Sequence, residues 1–189
     1  LAPRIDCNSG PIEVVKNPET DEPLVLKNLV IGVYNPPSAL HKQDNVAVTL
    51  DHVVISSMFG TSAISGEPIN LKMNHCTLIS DQGSSIALNF TWPQGDWNWQ
   101  GTEIKNSVIV GFKQVINLPL GIPAYNNLLW NNQDEDNTGW WIRTIRQDPM
   151  FLNSYPPYIP DISSSPVVAA ADDGSYIGAV VPIKSSLYP

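Results

Sequence analysis

Long apolar runs are missing from this chain, and positive charge is scarce. Ten Lys and Arg stand against 18 Asp and Glu, a formal charge of −8, and these four types make up only 15% of 189 residues. The first absence excludes a transmembrane helix, which needs about 20 consecutive apolar residues. The second argues against nucleic acid or an anionic membrane surface as partner and for one that is neutral or cationic. Cysteine is nearly absent too. Cys7 and Cys76 have no second Cys or close His at ligand spacing, so they encode no metal site. Cys76 is then either a packed thiol or half of a bridge to Cys7. Runs with a period near 3.6 are also lacking, which removes helical repeats from consideration.

What is present is repetition. Five segments share an apolar residue, a free position, an Asn or His, and then aliphatic or β-branched residues: Leu26 to Ile31, Leu50 to Ile55, Met73 to Leu78, Ile104 to Ile109 and Ala124 to Leu129. The marker residues are Asn28, His52, His75, Asn106 and Asn126, at intervals of 24, 23, 31 and 20 residues. Periods of this size belong to units that cannot bury an apolar face alone and stack on their neighbours. The segments inside each unit are short, rich in Val, Ile and Thr, and broken by Gly, Pro, Asn and Ser, as in Val46-Ala47-Val48-Thr49-Leu50. These are strands. With no helix between them they wind as a parallel β-helix, each coil pairing with the next at about 4.8 Å. The marker residues belong at a tight turn, where Asn tolerates left-handed backbone and its amide can bond to the equivalent amide one coil away.

Phrases such as Leu50-Asp51-His52-Val53-Val54-Ile55 and Asn106-Ser107-Val108-Ile109 resemble the coils of right-handed parallel β-helix proteins, the pectate-lyase-like superfamily with its many secreted and surface bacterial members. Asp148 to Asn153, Ser165-Pro166-Val167-Val168 and Tyr176-Ile177-Gly178-Ala179 are similar to the segment that crosses the open end of the core in such proteins. The resemblance implies an all-β, right-handed parallel β-helix of about five to seven coils, secreted or displayed on a cell surface. It carries little about function, since lyases, hydrolases, adhesins and binding modules share the scaffold. The expected organisation is a lead-in over residues 1–23, coils over 24–147 and a closing segment over 148–189. The lead-in, with its strand candidate Ile12 to Lys16, reads as the remnant of a preceding coil, and further coils or another domain are expected before Leu1.

His52 and His75 fall at equivalent turns, with Asp51 and Asn74 before them. Two His and a carboxylate are an adequate metal set, but the turn geometry accounts for both His, so no metal is assigned. His41 reads as a solvated loop residue. The column before the markers is Lys27, Asp51, Asn74, Lys105 and Tyr125, where a Lys facing an Asp is either a surface ion pair or the start of a lyase centre. A calcium-dependent lyase needs several carboxylates converging beside an Arg or Lys. No strand here places two acids on one face, and Arg143 and Arg146 lie outside the regular coils, so no catalytic residue is assigned.

The feature most like a binding site is aromatic. Trp92, Trp97 and Trp99 occupy the insertion that lengthens the 31-residue interval, and Trp140-Trp141 follow a polar run in another long connection. Flat Trp faces among Asn, Gln and Asp suit a sugar, and loops on a rigid scaffold are where such a contact belongs. Packing of these tryptophans onto the solenoid flank is the alternative. Asp134, Glu135 and Asp136 offer oxygen ligands to calcium without EF-hand spacing, and otherwise form a solvated acidic loop. The expected function is a non-catalytic recognition module for a polysaccharide or another surface protein. The alternative is a polysaccharide lyase or glycoside hydrolase, or its C-terminal part.

Overall fold

The computed structural model describes residues 3–8, 10–15, 22–34, 37–43, 46–57, 62–81, 85–91, 100–117, 121–134, 141–153, 160–161 and 163–179. All regular structure in them is β. In chain order the strands are β1 Arg4–Cys7, β2 Ile12–Val14, β3 Leu24–Val33, β4 Ser38–Lys42, β5 Val48–Ser57, β6 Ser62–Gly66, β7 Leu71–Asn74, β8 Thr77–Ser80, β9 Ile86–Phe90, β10 Glu103–Lys105, β11 Val108–Val110, β12 Gln114–Ile116, β13 Ala124–Tyr125, β14 Leu128–Trp130 and β15 Trp141–Ile142.

Each strand pairs in parallel with the strand one coil away, which makes the chain a parallel β-solenoid. One sheet of ten strands carries β1, β3, β5, β7, β8, β10, β11, β13, β14 and β15; a second of five carries β2, β4, β6, β9 and β12. About four turns hold strands of both sheets, from β3 to β12. Shorter levels continue the stack at each end, through β1 with β2 and through β13 to β15. The count of full turns is thus slightly lower than the five to seven expected. Residues 4–14 extend the solenoid directly: Ile5 pairs with Ile31 and Glu13 with His41.

The core is a set of columns, one residue per coil. Leu26, Leu50, Met73, Ile104, Ala124 and Trp141 are in register along one, and Ile31, Ile55, Leu78, Ile109 and Leu129 along another. Leu40, Ile64, Leu88 and Ile116 face them from the second sheet. Between the first two columns the chain bends at the marker residue, so that period-2 alternation on both arms points inward. That bend is why the sequence repeats as two short apolar arms around an Asn or His.

Candidate functional site

The bend itself has one conformation in every coil. Asn28, His52, His75, Asn106 and Asn126 have φ of 55°, 55°, 50°, 50° and 52°, and Arg143, which follows β15 as Asn126 follows β13, has 55°, so it stands at a bend of the last level and not outside the coils as expected. Left-handed backbone costs most residues about 1–2 kcal/mol, and short polar side chains tolerate it best. The contacts of these side chains differ from a simple amide ladder. The imidazoles of His52 and His75 stack with centroids 4.8 Å apart and planes 19° apart. Asn106 Nδ2 donates to Asn74 Oδ1 (3.0 Å) and Asp172 Oδ1 (2.6 Å) instead of bonding to another marker residue.

In the later coils, side-chain stitching falls to the residue after the marker. Asn127 Oδ1 accepts from the Ser107 amide (2.9 Å) while its Nδ2 donates to Ile104 O (3.0 Å), and Ser107 Oγ accepts from the Cys76 amide (3.1 Å). Asn132, after the left-handed Asn131, does the same with Phe112 and Ile109. The physical reason is direction. The residue after the bend points inward, where backbone groups of the next coil need partners that water cannot supply. The Asn-Asn doublets at 126–127 and 131–132 are the signal that marks this device in the sequence.

Beside the bend runs the charged column, and the register sets Lys27, Asp51, Asn74, Lys105 and Tyr125 side by side as expected. Lys27 Nζ lies 2.6 Å from Asp51 Oδ2, and His52 Nδ1 lies 2.7 Å from Asp51 Oδ1. Burial pushes the Asp51 carboxyl up, but the hydrogen bonds from Lys27 and His52 outweigh it and leave the group below its ordinary value. Because Lys27 is largely exposed, the pair contributes about 0.2–1 kcal/mol. Lys105 Nζ lies 3.6 Å from Asp172 Oδ2. Both lysines of the column therefore face carboxylates, which fits an ion-pair role better than that of a proton-abstracting base.

Residues 163–179 supply what the sequence reading missed. Rather than crossing the open end of the core, this segment lies along the outside of the ten-stranded sheet as a strap. Val167, Ala171 and Ile177 bury Val108 and Leu128, and Ala179 packs against Val30 and Val54. Those covered residues form the outward column Val30, Val54, Thr77, Val108 and Leu128. Hydrogen bonds fix the strap to the coils: Asp172 N donates to Asn106 Oδ1 (3.1 Å) and Asn106 Nδ2 to Asp172 Oδ1 (2.6 Å), His75 Nδ1 donates to Tyr176 O (2.7 Å), Gly178 N to Asn106 O (2.7 Å) and Ala179 N to Thr77 Oγ1 (2.8 Å). Asp173 Oδ2 also lies 3.3 Å from His75 Nε2. An outward apolar column interrupted by Thr77 was the available clue.

Trp92, Trp97, Trp99 and Trp140 lie outside the described residues, as do Glu135 and Asp136. Trp141 is half-buried, opens β15 and packs against the interior cluster at the last level of the stack. Among the described residues no three His, Cys, Asp or Glu side chains are placed to hold a metal ion. Cys7 and Cys76 are both free and buried, so the bridge alternative is corrected: Cys7 is in register with Val33, whereas Cys76 sits at the bend two coils further on. Burial pushes the Cys76 thiol up to about 12. His41 is also corrected. It is half-buried in β4, not a solvated loop residue, and its Nδ1 lies 2.8 Å from Ser65 Oγ.

No protein-family model matches the chain, and searches of curated proteins and of solved structures returned no match either.

Proposed function

We propose that this chain is an extracellular or cell-surface β-solenoid module, akin to the pectate-lyase-like group, that recognises a carbohydrate through its Trp-bearing connections. The observation that supports this reading is the register across the longest insertion. β9 ends at Phe90 and β10 begins at Glu103, yet Ile104 pairs with Met73 without slip. A connection carrying Trp92, Trp97 and Trp99 has thus been added to a coil whose ladder does not need it. Rigid scaffolds place recognition on such connections. Net charge of −8 suits a neutral or cationic glycan.

The lyase reading has less support. Lys27 and Lys105 face Asp51 and Asp172, and Asp51 is the single acid of the charged column. A glycan array tests the proposal, with binding to neutral or amino sugars expected. Incubation with pectin, alginate and glycosaminoglycans should give no absorbance from unsaturated uronate. Uronate release abolished by Lys105→Ala, without glycan binding, would replace recognition by lyase chemistry.

A further inference from the structure

The second sheet carries a column that the recognition reading does not use. Glu13, His41, Ser65 and Asn89 stand in register on four successive coils, alternating with the interior residues Leu40, Ile64 and Leu88. His41 Nδ1 lies 2.8 Å from Ser65 Oγ, and Ser38 Oγ lies 2.8 Å from the same oxygen. His41 and Ser65 are half-buried, while Ser38 is buried.

We propose that Ser65 and His41 are a nucleophile and general base that hydrolyse acyl esters carried on an extended polymer, such as the O-acetyl groups of a polysaccharide. A serine hydroxyl is a weak nucleophile until a base within hydrogen-bond reach takes its proton. The two contacts are compatible with a relay in which the Ser38 hydroxyl donates to Ser65 Oγ and Ser65 in turn donates to an unprotonated His41 Nδ1. Asn89 is the neighbour of Ser65 on the next coil, and its Oδ1 is held by Asn117 Nδ2 at 2.9 Å. Its own NH2 group is not consumed by that bond and supplies the donor class that an oxyanion beside Ser65 requires. Glu13, in register on the other side of His41, gives the imidazolium formed in the reaction a counter-charge. The column lies on a strand face, which suits an ester projecting from a long chain.

The chemistry balances without a cofactor. Ser65 Oγ bonds to the acyl carbon as its proton passes to His41 Nδ1. The ester C–O bond then breaks, and the leaving alcohol takes that proton. Water attacks the acyl-serine and gives a proton to His41, the Oγ–acyl bond breaks, and Ser65 recovers its proton. Ester and water become acid and alcohol.

The test is labelling with a fluorophosphonate probe, read by intact mass and peptide mapping. The expected adduct is on Ser65, absent in Ser65→Ala and formed about 100-fold more slowly in His41→Gln, with exposed Ser163 unlabelled. An unlabelled Ser65 in the parent protein would overturn the proposal, whether or not Ser65→Ala folds. So would labelling at an unchanged rate in His41→Gln. Neither result touches the glycan-array outcome, so the two proposals fail separately.

Discussion

Asn106 and Asp172 hold each other by two hydrogen bonds across 66 residues of sequence, amide nitrogen to carboxylate at 2.6 Å and backbone nitrogen to amide oxygen at 3.1 Å. The same Asn106 carries the left-handed bend of its coil, at φ 50°. One side chain therefore serves the turn and the strap together, and the two roles separate by substitution. Asn106→Gly keeps the backbone permissive and removes the bonds; Asn106→Ala removes the bonds and adds backbone strain. Urea unfolding should show Asn106→Ala destabilised by about 2–4 kcal/mol, the lost bonds to a buried network plus the strain. Asn106→Gly should lose about 1 kcal/mol less. Equal losses would mean that the bend carries no strain at this position.

Gly178 tests the strap by itself. Its φ is +91°, and a Cβ there would come within 2.8 Å of Val108 Cγ2 and Thr77 Oγ1. Gly178→Ala should lift residues 163–179 off the outward column while leaving the interior stacked. Hydrogen exchange should then rise in the strap and stay slow at Ile55, Leu78 and Ile109. A uniform rise across the chain would show instead that strap and coils unfold as one unit.

The solenoid was legible because its cause is local and repeated. Leu50, His52 and Ile55 reappear in kind at Met73, His75 and Leu78 since every coil must bend at the same place and fill the same two columns. The ion pair between Lys27 and Asp51 was legible for the same reason: register follows from the period. The strap was not, because its hydrogen bonds to the coils join residues 66 to 102 positions apart and no period leads to them. Asn127 was hidden by its neighbour. Asn126 matched the repeat, and only the inward direction of the following residue reveals which of the two amides stitches the coils. His41 gave no periodic signal, and its partner Ser65 lies one coil on.

Acid should loosen the strap before it loosens the core. Hydrogen bonds from the Ser175 side chain and backbone, with His75 nearby, hold the Asp173 carboxyl well below its ordinary value, at about 2. A depressed folded value means stabilisation that is complete above the ordinary carboxylate range and lost as pH falls toward about 2. Asp161, held low by Ser164 and Ser163, acts in the same direction. Exchange of strap amides, corrected for intrinsic rates, should therefore accelerate between the ordinary carboxylate range and pH 2. In Asp173→Asn that acid-dependent part should shrink, and an unchanged profile would assign the effect to other carboxylates.

Recognition by the Trp-bearing connections is measured most directly by affinity for a glycan selected on an array. Trp97→Ala and Trp99→Ala should each weaken binding by about 2 kcal/mol or more, the loss typical of an aromatic at the centre of a contact, with melting temperatures unchanged. Trp130→Ala, at the end of β14, should leave affinity within about twofold, since it belongs to the coil rather than the connection. Parent-like affinity in folded Trp97→Ala and Trp99→Ala would contradict the account.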